Sequence, residues 1–143
     1  MTPEAEPRPT PHPDLAAMLV CDQVIKDQTT KKASVIGIFD RMFASAFPAT
    51  HARLSVYVSV RDAIGEYRLR LEMVRTRDEM TVGRGDAQVI VTDRFEPAEW
   101  VFELVSLTFE EPGQYEFRLW ANDRYVGSKS FSVLQLQGRL PYA

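Results

Sequence analysis

One cysteine and two histidines are all that 143 residues offer for thiol or imidazole chemistry. The lone Cys21 has no partner for an intrachain disulfide. It lies in an apolar run, which fits a reducing compartment better than a secreted, cross-linked scaffold. There is no Cys-x-x-Cys, no His-x-x-x-His and no Asp-rich loop with calcium-binding spacing, so no metal is expected. No cofactor motif is present either. His12 lies among prolines, and His51 is placed in a loop after Pro48 with no Gly-x-Ser-x-Gly elbow to give it a nucleophile. A basic surplus is also missing: 17 Lys and Arg face 20 Asp and Glu, and that balance argues against nucleic acid as a partner. No apolar run approaches the ~20 residues of a membrane helix. The start of the chain lacks the basic and apolar regions of a secretory signal, and the expectation is a cytoplasmic protein. Glycine is sparse, at seven residues. Gly83-Arg84-Gly85 lacks the following Lys-Ser/Thr of a phosphate loop and leads into no helix, so a glycine-rich turn is expected.

Proline is unevenly placed. Five of the nine stand at positions 3, 7, 9, 11 and 13, which sets residues 1–14 apart as an extended, disordered tail. Such a run is also the composition of a ligand for a proline-binding groove. Residues 15–143 are one domain's worth of chain, long enough to bury a core without disulfides.

Within that domain the dominant signal has period two. Leu54, Val56, Val58 and Val60 share one face of a strand over residues 53–61, and Tyr67, Leu69, Leu71 and Met73 one face of another over 66–74. The link 62–65 is short enough for a hairpin. Further strands are expected over 15–27, 34–43, 87–92 and 100–109, with Gly37 as a bulge or a point of close approach. Glu111-Pro112-Gly113-Gln114-Tyr115 resembles a tyrosine corner, in which a Tyr hydroxyl bonds back to the backbone at the crossing between two sheets. Asn122-Asp123 tolerates the positive φ of a two-residue type I′ hairpin turn. That register sets Trp120 opposite Tyr125, Leu119 opposite Val126 and Glu116 opposite Lys129, with a bulge near Gly127 reconciling the parity of Phe131 and Val133. The fold class is all-β: an immunoglobulin-like antiparallel β-sandwich of seven to nine strands.

Two groups of residues stand out as candidates for function. Asp22, Gln23, Asp40 and Arg41 each interrupt an apolar strand, where half-buried charge needs a partner. An Asp40–Arg41 or Asp22–Arg41 pair would be a structural network; joined by His51 in one pocket, the same acids would suggest an enzyme. If Tyr115, Phe117 and Leu119 face the core, then Trp120 faces away beside Arg118 and Tyr125, the composition of an interface hot spot. Glu110 and Glu111 are adjacent, point to opposite faces of a strand, and cannot act as an acid/base pair.

The segments Leu19-Val20-Cys21-Asp22-Gln23-Val24-Ile25, Ile36-Gly37-Ile38-Phe39-Asp40-Arg41-Met42-Phe43 and Phe47-Pro48-Ala49, with Gly113-x-Tyr115-x-Phe117, resemble a family of small bacterial proteins. That family has a CDQVI … GIFDR … FPA signature and no assigned activity. The resemblance spans residues 15–133, implies a sandwich and brings no mechanism. The expected function is a non-enzymatic module that binds a protein partner or self-associates, through the Trp120/Tyr125 face or an open sheet edge. A small-ligand or carbohydrate-binding module using the same aromatics is the alternative, and an enzyme near Asp22, Asp40, Arg41 and His51 a second one.

Overall fold

The computed structural model describes residues 10–137, so most of the proline-rich tail and the last six residues lie outside the described residues. Nine strands are found there: β1 (Asp14–Lys26), β2 (Ala33–Ile38), β3 (Arg41–Ala44), β4 (Ala49–Arg61), β5 (Gly65–Arg75), β6 (Met80–Val91), β7 (Ala98–Phe109), β8 (Gly113–Ala121) and β9 (Arg124–Gln135). They form a four-stranded sheet in the order β2-β1-β4-β7 and a five-stranded sheet in the order β3-β9-β8-β5-β6. The alternating apolar residues of β4, β5 and β8 face each other across the interior, and Leu54, Val56, Phe117 and Leu119 are fully buried. Phe131 sits at the centre, within 6.3 Å of the rings of Phe39, Phe109 and Phe117. Each such side chain contributes about 1.5–3 kcal/mol by burial. The protein is an immunoglobulin-like β-sandwich, as its alternation predicts.

The tyrosine corner is formed. Tyr115 is 1% exposed, and its hydroxyl donates to the Glu111 carbonyl at 2.7 Å. The type I′ turn is formed too: Asn122 and Asp123 have φ of 49° and 63°, and Trp120 pairs with Tyr125. The bulge falls one residue before Gly127, so Leu119 pairs with Gly127, and Glu116 with Ser130, in place of Val126 and Lys129. Gly127 is also where the first strand leans in. A Cβ on it would come within 2.4 Å of Leu15 Cδ2.

Four expectations are corrected. Residues 34–43 are two strands in different sheets. At the crossover the Phe39 amide donates to Val20 of β1, while the Asp40 carbonyl accepts from Ser132 of β9. Because the chain arrives at β3 from the other sheet, β3 pairs with β9 in parallel, and the other strand pairs are antiparallel. Residues 62–65 do not close a hairpin. Asp62 and Gly65, at φ 57° and 108°, carry the chain across the sandwich, so the apolar faces of β4 and β5 oppose each other instead of lying side by side. Gly83 and Gly85 lie inside β6, not in a turn. A Cβ on either would meet Leu107 at 3.2 Å or Phe102 at 3.3 Å, so these glycines let the two sheets touch. His51 belongs to β4, not a loop, and packs against Phe39 at 5.9 Å.

The end of the tail is docked. Pro13 is buried, and Tyr67, itself 2% exposed, donates its hydroxyl to the Pro11 carbonyl at 2.7 Å. Gly37, at φ 70°, is the predicted point of close approach: Asp22 lies directly against it.

Candidate functional site

The outward face of the five-stranded sheet carries the predicted aromatic pair. The type I′ turn puts Trp120 and Tyr125 opposite each other, with ring centroids 5.4 Å apart in a T-shaped contact. The cation on this pair is Arg70, not Arg118. Its guanidinium lies 5.3 Å from the Trp120 ring and is held by Glu72 at 2.6 Å and Asp123 at 3.0 Å. Arg118 is engaged by Glu79 and Glu116, each at 2.7 Å. Arg68 pairs with Asp123, and Arg84 with Asp86. The face is therefore internally neutralised, and one side of the indole is already occupied. Trp120 is only half-exposed, and its Nε1–H is buried without an acceptor among the described residues. Arg70 was legible as an outward residue of β5, but its approach to Trp120 depends on the β5–β8 pairing, which no local signal announces.

The polar group is only partly assembled. Asp40 and Arg41 pair at 3.6 Å, with both side chains 63% exposed, so the pair is solvated and contributes little. Asp22 and Gln23 are exposed as well, Asp22 beside Gly37. The expectation of half-buried charge fails because β1 leaves the core after Cys21. His51 packs on Phe39, and no hydrogen bond among the described residues joins it to any of the four. Cys21 is fully buried, donates weakly to the Ser55 carbonyl at 3.5 Å, and has its thiol pKa raised by burial. A thiol of this kind is inert. Among the described residues, no group of three or more His, Cys, Asp or Glu is placed to hold a metal ion, and no helix is long and apolar enough to cross a membrane.

A different site emerges where β6 and β7 meet. These strands are the outer edges of their sheets, so each has one side of its backbone unpaired among the described residues. At one end, Gly83 and Gly85 bring β6 against Phe102, Leu104 and Leu107 of β7. Further along, the layers part around a slot of about 500 Å³. Val58, Val60, Leu69 and Val89 wall its depth, and Ala98 and Trp100 stand along its β7 side. The surroundings are unusually apolar for a surface: Ile90 is 68%, Phe95 94% and Trp100 38% exposed. Among the described residues, the only charged side chains lining the slot are the carboxylates of Asp93, Glu96 and Glu99. Arg94, in the same loop, turns to Asp62 at 3.8 Å.

A second, smaller cavity of about 310 Å³ lies on the other side of β7. It is bounded by Val24, Lys26 and Ala33 of the β1–β2 hairpin and by Tyr57, Glu99 and Glu103 of the sheet beneath. Glu99 and Trp100 border both cavities. The Tyr57 hydroxyl donates to Glu99, and burial, followed by that carboxylate, pushes its pKa up to about 12.

No curated protein matches this chain in sequence. Among solved structures, a β-glucosidase from Listeria innocua is similar over 86% of this chain and 16% of its own, at 13% identity and a TM-score of 0.47. An alkylpurine DNA glycosylase from Pseudomonas fluorescens, bound to DNA with an abasic-site analogue, is similar over 82% of this chain and 30% of its own, at 8% identity and a TM-score of 0.43. An immunoglobulin-like protein from Pseudomonas aeruginosa is similar over 86% of this chain and 97% of its own, at 11% identity and a TM-score of 0.39. The chain thus spans less than a third of either enzyme, and neither likeness bears on activity. The sequence itself is more informative: residues 16–134 match the model of a family of unknown function, DUF6941, and the chain belongs to that family.

Proposed function

We propose that this chain is a non-enzymatic interaction module that binds a protein partner at the open β6–β7 side of the sandwich. The observation that carries this reading is the apolar slot between two unpaired strand edges, bordered by Ile90 and Trp100, with the exposed Phe95 in the loop that joins the two strands. An extended segment can add its backbone to such an edge while an apolar side chain enters the slot. The Trp120/Tyr125 face is less suited, because its arginines already have carboxylate partners and Arg70 covers the indole. The buried, unpaired thiol of Cys21 supports a reducing setting such as the cytoplasm.

One observation favours a second reading. A volume near 500 Å³ lies within the usual range of small-molecule pockets. A small apolar ligand would need the slot but not the exposed Phe95 outside it.

Two comparisons test the proposal. Quantitative affinity capture with the wild-type chain, Ala98→Trp and the double variant Ile90→Ser/Phe95→Ser should show a common set of partners lost from both variants. Light scattering of the purified chain separates a foreign partner from a second copy. Loss with Ala98→Trp alone favours the small ligand, and a partner set unchanged by either variant overturns the proposal.

A further inference from the structure

We infer that the β6–β7 slot selects an extended segment that presents a large apolar side chain flanked by lysine or arginine. This rests on the reading of the open side as a protein-binding surface, and it adds the chemistry of the partner.

The apolar half follows from the walls. Val58, Val60, Leu69 and Val89 offer no polar side-chain atom to a guest, and the Tyr67 hydroxyl beside them is already bonded to the Pro11 carbonyl, so an apolar group loses least on entering past the polar Gln88 and Thr92. The basic half follows from the rim. Asp93, Glu96 and Glu99 border the slot, and among the described residues no lysine or arginine does. Several carboxylates elsewhere on this domain are matched by arginine: Asp78 and Glu111 by Arg75 and Arg77, Asp86 by Arg84, Glu79 by Arg118. Asp93 and Glu96 have no such cation among the described residues, and Glu99 is held only by the Tyr57 hydroxyl. Asp93 spends one oxygen on the Phe95 amide at 2.9 Å, which fixes the loop and leaves its other oxygen facing water. A guest with cations on either side of its apolar anchor would meet these carboxylates, and the partly exposed Trp100 ring adds a cation–π surface. An acidic segment would meet repulsion at the same three positions.

Register supports an extended guest. In a strand, alternate side chains point to opposite sides, so an apolar residue entering the slot places its two neighbours outside, beside the rim.

The test uses the full chain and three fluorescein-labelled peptides of equal length, in which leucine and valine alternate with lysine, serine or glutamate. Fluorescence anisotropy should give the lysine peptide about a tenfold tighter Kd than the serine peptide, as expected of three exposed carboxylates. The glutamate peptide should bind more weakly than either. Raising the salt should shrink the lysine preference. Asp93→Asn/Glu96→Gln should reduce that preference severalfold while leaving the serine peptide unchanged, because the side-chain carbonyl introduced at position 93 can still accept from the Phe95 amide. Ala98→Trp should abolish all binding, with near-ultraviolet circular dichroism confirming that the variant is folded. If the lysine preference survives the charge-neutral variant, or the glutamate peptide binds as well, the charge selectivity is overturned and the open-side reading stands. If Ala98→Trp leaves every peptide bound, the open side itself is the wrong surface. If no peptide binds the folded wild type, the inference is overturned, and affinity capture alone decides the open-side reading.

Discussion

Replacing Tyr115 with Phe removes one oxygen and tests the joint on which the β7–β8 crossing depends. The ring should stay in place, because it is 1% exposed and packs edge-on against Phe109 at 5.1 Å. What goes is a 2.7 Å hydrogen bond to the Glu111 carbonyl. An intramolecular bond of this kind contributes a net 0.5–1.5 kcal/mol at order of magnitude, and a partly buried acceptor left without a donor adds to the loss. Glu111 is only half-buried, so water can replace part of that bond, and a destabilisation of about 1.5 kcal/mol follows. For a domain of this length that lowers Tm by about 5 °C. The neighbouring ion pairs should survive, because Arg77 reaches the Glu111 carboxylate at 2.6 Å and not its carbonyl. Urea unfolding is the assay: the midpoint should fall while the slope stays constant, since the surface exposed on unfolding is unchanged. A Tyr115→Phe midpoint within error of wild type would refute the reasoning and reduce the corner to ring packing.

Other consequences can be checked on the same preparation. Gly83→Val should cost about 1–3 kcal/mol by overpacking against Leu107, whose Cδ2 would lie 3.2 Å from the new Cβ; urea unfolding measures it. Gly37→Ala should be destabilising on two grounds, a φ of 70° and a Cβ 2.2 Å from Asp22 Oδ2, and a background of Asp22→Ala should recover part of the loss in a double-mutant cycle. Tyr57 favours its protonated form more in the folded chain than in the unfolded one. Its contribution is therefore complete below pH 10 and lost as pH rises toward about 12. Ultraviolet titration should show Tyr57 and the buried Tyr115 ionising late, and Glu99→Gln should bring only Tyr57 down.

The alternation of β4, β5 and β8 was enough to place the core, because each has one apolar face in the interior and a polar face turned away from it. Tyr115 and the Asn122-Asp123 turn were legible for the same local reason: both are short-range devices whose residues carry the geometry. What local pattern could not reveal was partnership between distant strands. The period-two signal of residues 34–43 is the same whether they stay in one sheet or cross at Phe39 and Asp40. Gly83 and Gly85 looked like turn residues because their purpose, contact with Phe102 and Leu107, lies across the sandwich. Ser106, at φ 51°, shifts the parity of β7 so that Leu104, Leu107 and Phe109 are all buried, an irregularity that no simple alternation contains. The site was missed on similar grounds. Trp120 drew attention as an aromatic on an outward face, whereas the slot beside Trp100 arises from the spacing of two layers.

The crossover at Phe39 and Asp40 gives the molecule a spine. Neighbouring residues are tied to opposite leaves there, through Val20 on one and Ser132 on the other, so that margin cannot widen without breaking both ladders. At the fore-edge, β6 and β7 are joined by the loop over residues 92–97 and by packing at Gly83 and Gly85, with no backbone ladder between them among the described residues. A guest wedged into the slot would therefore pry against a fixed binding instead of shifting the whole block of pages.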